Sequence, residues 1–240
     1  MSKTNGELQA LIVQHEAATP GGLVLEWLNS LEAEIHEYRI DIEPERVDPG
    51  EFDVIVSLGS EYAAFDDSIP WLKREIDLFR GAADQDVPIL GICFGGQLLA
   101  RVHGGNAFRG ELHEVGWFRV DSKDEVLLPS GPWFQWHFDT FSIPPGAELL
   151  ASSVAGPQAF VLGRNLGVQF HPEVTPAIMD EWVRVYRHEL DEVGVDPNAL
   201  LEETKRVAEK ARASSLSLLR GFEYEIARLR DPVTGVEETT

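Results

Sequence analysis

Apolar and polar residues along this chain switch between two periods, and the switches mark out strands and helices. Residues 8–13 form a short apolar run, read as a first strand. Pro20 opens a helix in which Leu23, Trp27, Leu28 and Leu31 recur at helical spacing, and proline suits a first helical turn. Residues 34–40 alternate like a strand, and residues 53–58 are apolar in the manner of a strand buried on both faces. Residues 70–80, carrying Trp71, Leu72, Glu75, Ile76 and Phe79, read as another helix. A short apolar run then leads to Gly91, and a helix-like stretch starts at Gln97. Strands alternating with helices predict an α/β fold, with a mostly parallel central sheet flanked by helices. Ligand sites in such sheets lie beyond the carboxyl ends of the strands.

After Ala100 the pattern changes to short strands and turns, at 115–120, 125–128, 134–137, 147–151, 158–162 and 166–170. These predict antiparallel and mixed strands that complete the sheet and wall a pocket. From Pro176 the chain turns helical, with Ile178, Trp182, Val185 and Leu190 spaced for a buried stripe. Pro197 starts a further helix toward Arg230, with Leu200, Leu201, Val207, Leu218, Leu219, Phe222 and Ile226 available for one face and Gly221 as a breaking point. The expected organisation is a domain over 1–195, a C-terminal helical extension over 196–230 packed on it, and a loosely ordered tail over 231–240. The apolar stripe of the extension also suits a partner or a second copy of the chain, which keeps a homo-oligomer open.

Composition bounds the setting. The chain has 240 residues, one cysteine and a net charge of −21. That length buries a core without disulfides, and one cysteine makes no internal disulfide. Residues 1–7 show no basic-plus-apolar leader, and no apolar run approaches a membrane span. A reducing, cytoplasmic protein is expected. The charge argues against nucleic acid or an anionic membrane as a partner.

Cys93 is where chemistry enters. Gly91-Ile92-Cys93-Phe94-Gly95 has the spacing of a strand–turn–helix elbow, with cysteine where a related hydrolase motif carries serine. Gly91 and Gly95 are expected to permit a strained reversal. The sulfur would then stand at a helix N-terminus, where backbone N–H groups favour negative charge. A thiol nucleophile also needs a base and a group to orient it. Phe170-His171-Pro172-Glu173 supplies both: residues two apart in an extended segment share a face, so His171 and Glu173 project together. Alone, a single cysteine is usually a buried apolar residue, and a lone histidine a hydrogen-bonded core residue; together the two segments point to Cys93, His171 and Glu173 as catalytic. Seven histidines show no H-x-x-x-H or H-E-x-x-H cluster, so no metal site is expected, and no cofactor is expected.

These residues resemble the class I, triad-type glutamine amidotransferases. Residues 91–97 are similar to the nucleophile motif of that family and residues 170–173 to its His-Glu motif. Residues 53–60 resemble the strand and glycine loop that form part of the family's oxyanion hole, with Leu58-Gly59 here in place of a glycine pair. Residues 136–141, Trp-His-Phe-Asp-Thr-Phe, are similar to a stretch in the guanylate (GMP) synthase branch and its stand-alone relatives. The resemblance covers roughly residues 7–190. It implies hydrolysis of a γ-glutamyl amide, most often glutamine, through a glutamyl thioester on cysteine with release of ammonia. By the same resemblance the backbone N–H groups of Gly59 and Phe94 meet the oxyanion, while Gln97, Phe138 and Asp139 border the amino-acid end of the substrate. Nothing in the sequence places His137 near the sulfur. No phosphate loop of the G-x-x-x-x-G-K-[ST] kind is present, so the ammonia acceptor would be activated by a separate synthetase. A stand-alone γ-glutamyl peptide or conjugate hydrolase is the alternative, and an inactive binding or regulatory subunit the second.

Overall fold

The computed structural model describes residues 7–229; the tail expected over 231–240 lies outside them. Five strands form the parallel part of one sheet: β1 (Gln9–Gln14), β2 (Glu34–Arg39), β3 (Val54–Ser57), β4 (Ile89–Ile92) and, last in sequence, β10 (Asn165–Val168). Their order is β2-β1-β3-β4-β10, and β9 (Gly156–Leu162), β8 (Glu148–Ser153) and β6 (Asp121–Ser122) extend the sheet antiparallel beyond β10. Residues of β3 and β4 are buried throughout, which explains why their sequences read as unbroken apolar runs.

Helices cover both faces. Trp27 and Leu28 of α1 (Gly22–Ser30) pack with Val54, Val56 and Ile92 on one face. On the other, Leu72 and Phe79 of α2 (Leu72–Asp84) and Leu98 and Leu99 of α3 (Phe94–Val102) pack with Leu11, Ile55 and Ile89. Helix α1 begins two residues after Pro20, because Gly22 holds φ +45° and turns the chain before the helix can start. Helix α3 begins at Phe94 rather than Gln97, so its first turn carries Gly95 and Gly96.

Two long strands, β5 (Ala107–Phe118) and β7 (Trp133–Phe141), form a separate antiparallel pair rather than joining the main sheet. A single bridge between Phe134 and His171 ties that pair to the chain after β10. The strand expected at 125–128 is instead a turn, because the Asp124 carboxylate accepts the N–H groups of Val126 and Leu127 at 3.0 Å each. Helices α4 (Pro176–Val185), α5 (Arg187–Val193) and α6 (Pro197–Gly221) follow. Ile178, Trp182 and Leu190 are buried as expected, but Val185 is exposed. Leu218 and Leu219 of α6 join Trp27 and Leu28 in one cluster. At Gly221 the helix does not break but passes into a π-helical turn, Phe222–Ile226. A Cβ at Gly221 would lie 2.5 Å from Leu127 Cδ1, so the glycine lets the Leu127 side chain pack directly on the helix backbone.

Candidate active site

Strand β4 ends at Ile92 and α3 starts at Phe94, so the whole reversal falls on Cys93, whose φ is 50° and ψ −104°. The strain expected at the flanking glycines is carried by the cysteine itself. Gly91 and Gly95 serve close approach instead. A Cβ on Gly91 would lie 2.5 Å from the Gly95 carbonyl oxygen, and one on Gly95 would lie 2.5 Å from Ser57 Oγ. Cys93 is 6% exposed and lines a cavity of about 150 Å³ at the carboxyl ends of the strands. Gln169 Nε2 donates to its sulfur at 3.6 Å.

His171 reaches the same cavity from the end of β10. Its N–H donates to the Phe134 carbonyl at 2.8 Å, which fixes the backbone, and Nδ1 meets Glu173 Oε1 at 2.7 Å. The segment is not extended through Glu173, as the sequence pattern implied; Glu173 lies in a turn. That turn is docked on α1, since Leu23 N–H donates to the Glu173 carbonyl at 2.9 Å. Only a glycine at position 22 permits the approach, because a Cβ there would overlap the Glu173 carbonyl oxygen. Burial works against an imidazolium at His171, but the Glu173 carboxylate, and after it Cys93, outweigh burial and push the pKa up to about 10. Nε2 is buried and has no hydrogen-bond partner. No hydrogen bond of ordinary geometry joins it to the sulfur, although the imidazole packs tightly on Gly59 with the Cys93 side chain close by. A Cβ built on Gly59 would lie 2.8 Å from His171 Cε1 and 3.7 Å from Cys93 Cβ.

Gly59 follows β3, and its N–H, like that of Phe94 at the start of α3, has no acceptor among the described residues. The peptide that carries the Gly59 N–H is held at its other end, where Gly95 N–H donates to the Leu58 carbonyl at 3.3 Å. A buried cluster holds Gly59 from beneath. His15 Nδ1 donates to the Gly59 carbonyl at 3.1 Å, and its Nε2 meets Glu75 Oε2 at 3.0 Å. Ser57 Oγ donates to the other Glu75 oxygen at 2.7 Å. Burial alone would lower the His15 pKa, but Glu75 reverses that and raises it, in keeping with a ring whose two nitrogens both face acceptor oxygens. Sequence reasoning missed this cluster, and its signal was a glutamate at an apolar position of α2.

The remaining expected residues also line the cavity. Gln97 is buried and donates to Gln169 Oε1 at 3.2 Å. Phe138 and Asp139 stand on the β7 wall with Arg109, whose guanidinium lies 4.8 Å from the Phe138 ring centre and 3.4 Å from Asp139 Oδ1. His137 borders the cavity too, but both its nitrogens are engaged, by the Asp139 carbonyl at 3.0 Å and Glu114 at 3.2 Å. Sequence reasoning assigned no part in the site to Glu16, Glu61, Tyr186 or Glu189, and read Trp182 only as part of a buried stripe, yet all five line the cavity. Among the described residues no group of three or more His, Cys, Asp or Glu side chains is placed to hold a metal, and no helix is long and apolar enough to cross a membrane.

Comparison with known proteins agrees with this architecture. Residues 23–184 match the family described as glutamine amidotransferase class-I. A glutamine amidotransferase from Thermotoga maritima, solved by crystallography, superposes with a TM-score of 0.83 at 30% identity, over 92% of this chain and 100% of that one. A subunit of the glutamine-hydrolyzing GMP synthase of Sulfolobus acidocaldarius is 39% identical over 137 residues, covering 52% of this chain and 69% of the relative. The GMP synthase of Aeropyrum pernix is 39% identical over 110 residues, covering 40% of this chain. The chain spans only 21% of the length of that synthase.

Proposed function

The chain belongs to the class-I glutamine amidotransferases, and from that premise we propose that it hydrolyses the side-chain amide of glutamine through a γ-glutamyl thioester on Cys93. The observation that carries the reading is the 2.7 Å contact between His171 Nδ1 and Glu173 Oε1, with the opposite nitrogen unpartnered on the wall that also presents Cys93. In this mechanism the Cys93 thiolate attacks the amide carbon. The oxyanion that develops is met by the N–H groups of Gly59 and Phe94, donors of a kind worth a few kcal/mol each (about 2.7–4) when preorganised. His171 passes its proton to the departing nitrogen, then takes one from the water that opens the thioester. Glu173 keeps the imidazole in orientation throughout. Gln97, Phe138, Asp139 and Arg109 form the end of the cavity that suits the amino and carboxylate groups of the amino acid.

Ammonia released here would feed a separate synthetase, a reading supported by the likeness to one subunit of the Sulfolobus GMP synthase. A second reading, cleavage of γ-glutamyl conjugates without a partner, is favoured by the aromatic and acidic residues Trp136, Tyr186 and Glu189 that also line the cavity, which departing ammonia does not need. The test is glutamate formation from glutamine by the purified chain, alone and with candidate synthetases, beside Cys93→Ala. The expected outcome is a loss of several orders of magnitude in Cys93→Ala. Full activity in that variant would remove Cys93 from the mechanism.

A further inference from the structure

The side of the sulfur on which the leaving group departs follows from proton transfer. The nitrogen that leaves must take its proton from His171 Nε2, so its substituent lies on the His171 side of the sulfur. His171 is 5% exposed, its Nδ1 is occupied by Glu173, and Nε2 is the unpartnered nitrogen on the cavity wall. Beyond it the wall is aromatic. The Trp182 ring stands 4.9 Å from the imidazole, and Trp136 and Tyr186 follow at 6.0 and 6.5 Å from Trp182. Carboxylates stand around this wall. Tyr186 Oη and the Glu61 N–H each donate to Glu16 Oε1 at 3.2 Å, and Trp136 Nε1 donates to Glu189 Oε2 at 2.5 Å.

Among the described residues no lysine or arginine lies within ion-pair distance of Glu16, Glu61 or Glu189. Beside the His171 imidazolium, Arg109 supplies the guanidinium of the cavity lining, and it is committed to Asp139 and Phe138. A net charge of −21 accounts for acid on the outer surface. It does not account for Glu16, whose Oε2 is buried without a partner and whose pKa burial pushes up to about 7. Departing ammonia carries no substituent to place beside these carboxylates, and a leaving group ending in carboxylate would face like charges. An alkylammonium in the cavity would stand beside the carboxyl groups of Glu16, Glu61 and Glu189 and among indole and phenol rings that attract cations.

Resting on the reading of Cys93 and His171 given above, we propose that this centre acts on γ-glutamyl amides of aliphatic di- or polyamines, with the distal ammonium seated among Glu16, Glu61, Glu189, Trp136 and Tyr186. The reaction is balanced by water alone. The Cys93 sulfur displaces the amine as the C–N bond breaks and His171 protonates the amine nitrogen. Water then adds to the thioester carbon, giving glutamate and restoring the thiol.

The test uses three conjugates of matched length: γ-glutamylputrescine, γ-glutamylpentylamine and γ-glutamyl-γ-aminobutyrate, with glutamine alongside and glutamate as the readout. The cationic conjugate should exceed the neutral one by about tenfold or more in kcat/KM, the combined scale of a cation–π contact and partly screened ion pairs. The anionic conjugate should be the poorest, and about 0.5 M salt should narrow the series. Glu16→Gln should lower kcat/KM for γ-glutamylputrescine about tenfold more than for glutamine. Glutamine turnover together with equal or better use of the neutral or anionic conjugate overturns this inference and leaves the hydrolase reading standing. No glutamate from any of the four compounds, with folded protein, overturns both.

Discussion

Gly59→Ala places one methyl group where Cys93, His171 and the proposed oxyanion donor meet. Alanine suits the backbone there, and the Gly59 N–H remains in place. The added carbon would lie 2.8 Å from His171 Cε1, 3.5 Å from Nδ1 and 3.7 Å from Cys93 Cβ. Carbon atoms in contact rest at about 3.5–4.0 Å, so the imidazole must withdraw by about 1 Å. It has little freedom to do so, because Nδ1 is held at 2.7 Å by Glu173 and its backbone N–H at 2.8 Å by Phe134. Overpacking of this kind typically destabilises by about 1–3 kcal/mol, a fall in Tm of about 2–12 °C at this size. A displacement of about 1 Å at a reacting group lowers the rate by about a hundredfold. Glutamate formation measured under saturating and limiting glutamine should therefore show a kcat loss of that order with KM little changed. Wild-type kcat in a Gly59→Ala enzyme would refute the packing of the imidazole against this glycine.

Glu173→Gln keeps an acceptor near Nδ1 but removes the charge, so the His171 pKa should drop well below about 10 in an NMR titration, and kcat should fall by about 10²–10⁴. Losing His171 itself should do more damage than losing this orienting group. Gly22→Ala forces a side chain both into a left-handed backbone region and onto the Glu173 carbonyl, so chemical denaturation should register a loss of about 2–4 kcal/mol. For Glu16 the folded carboxyl binds its proton more tightly than the unfolded one, with a pKa of about 7 against 4.5. Between those values the folded state holds the extra proton, so this group subtracts stability progressively as pH rises from about 4.5 to 7. Glu16→Gln should accordingly raise Tm at pH 8, by up to about 3 kcal/mol of stability, and change it little at pH 4.5. A raised Tm combined with poorer use of cationic conjugates would mark a charge kept for binding at the expense of stability.

What the sequence made legible was what short-range pattern encodes. Strands β3 and β4 are buried on both faces and so consist of unbroken apolar residues, and the elbow around Cys93 needs only five consecutive positions. His171 and Glu173 were legible as a pair because they stand two residues apart, although a turn docked on α1 brings them together rather than the extended segment expected. Strand β5 was read only in its second half, because its first half pairs across a register shift between Arg109 and Glu114 and exposes most of its side chains. The Asp124 turn mimicked a strand, since a side chain rather than the backbone satisfies its N–H groups. The His15–Glu75–Ser57 cluster and the wall built from Glu16, Trp136, Tyr186 and Glu189 join segments far apart in the chain. Their meaning comes from burial, which only the folded molecule displays.

The central claim is that Cys93 becomes acylated. Rapid acid quenching of the enzyme during turnover of isotopically labelled glutamine, followed by peptide mapping in a mass spectrometer, tests it directly. A labelled γ-glutamyl group on the peptide that contains Cys93, chased into free glutamate and missing from Cys93→Ala, is the expected result. Labelled glutamate formed at full rate with the sulfur never modified would contradict the account.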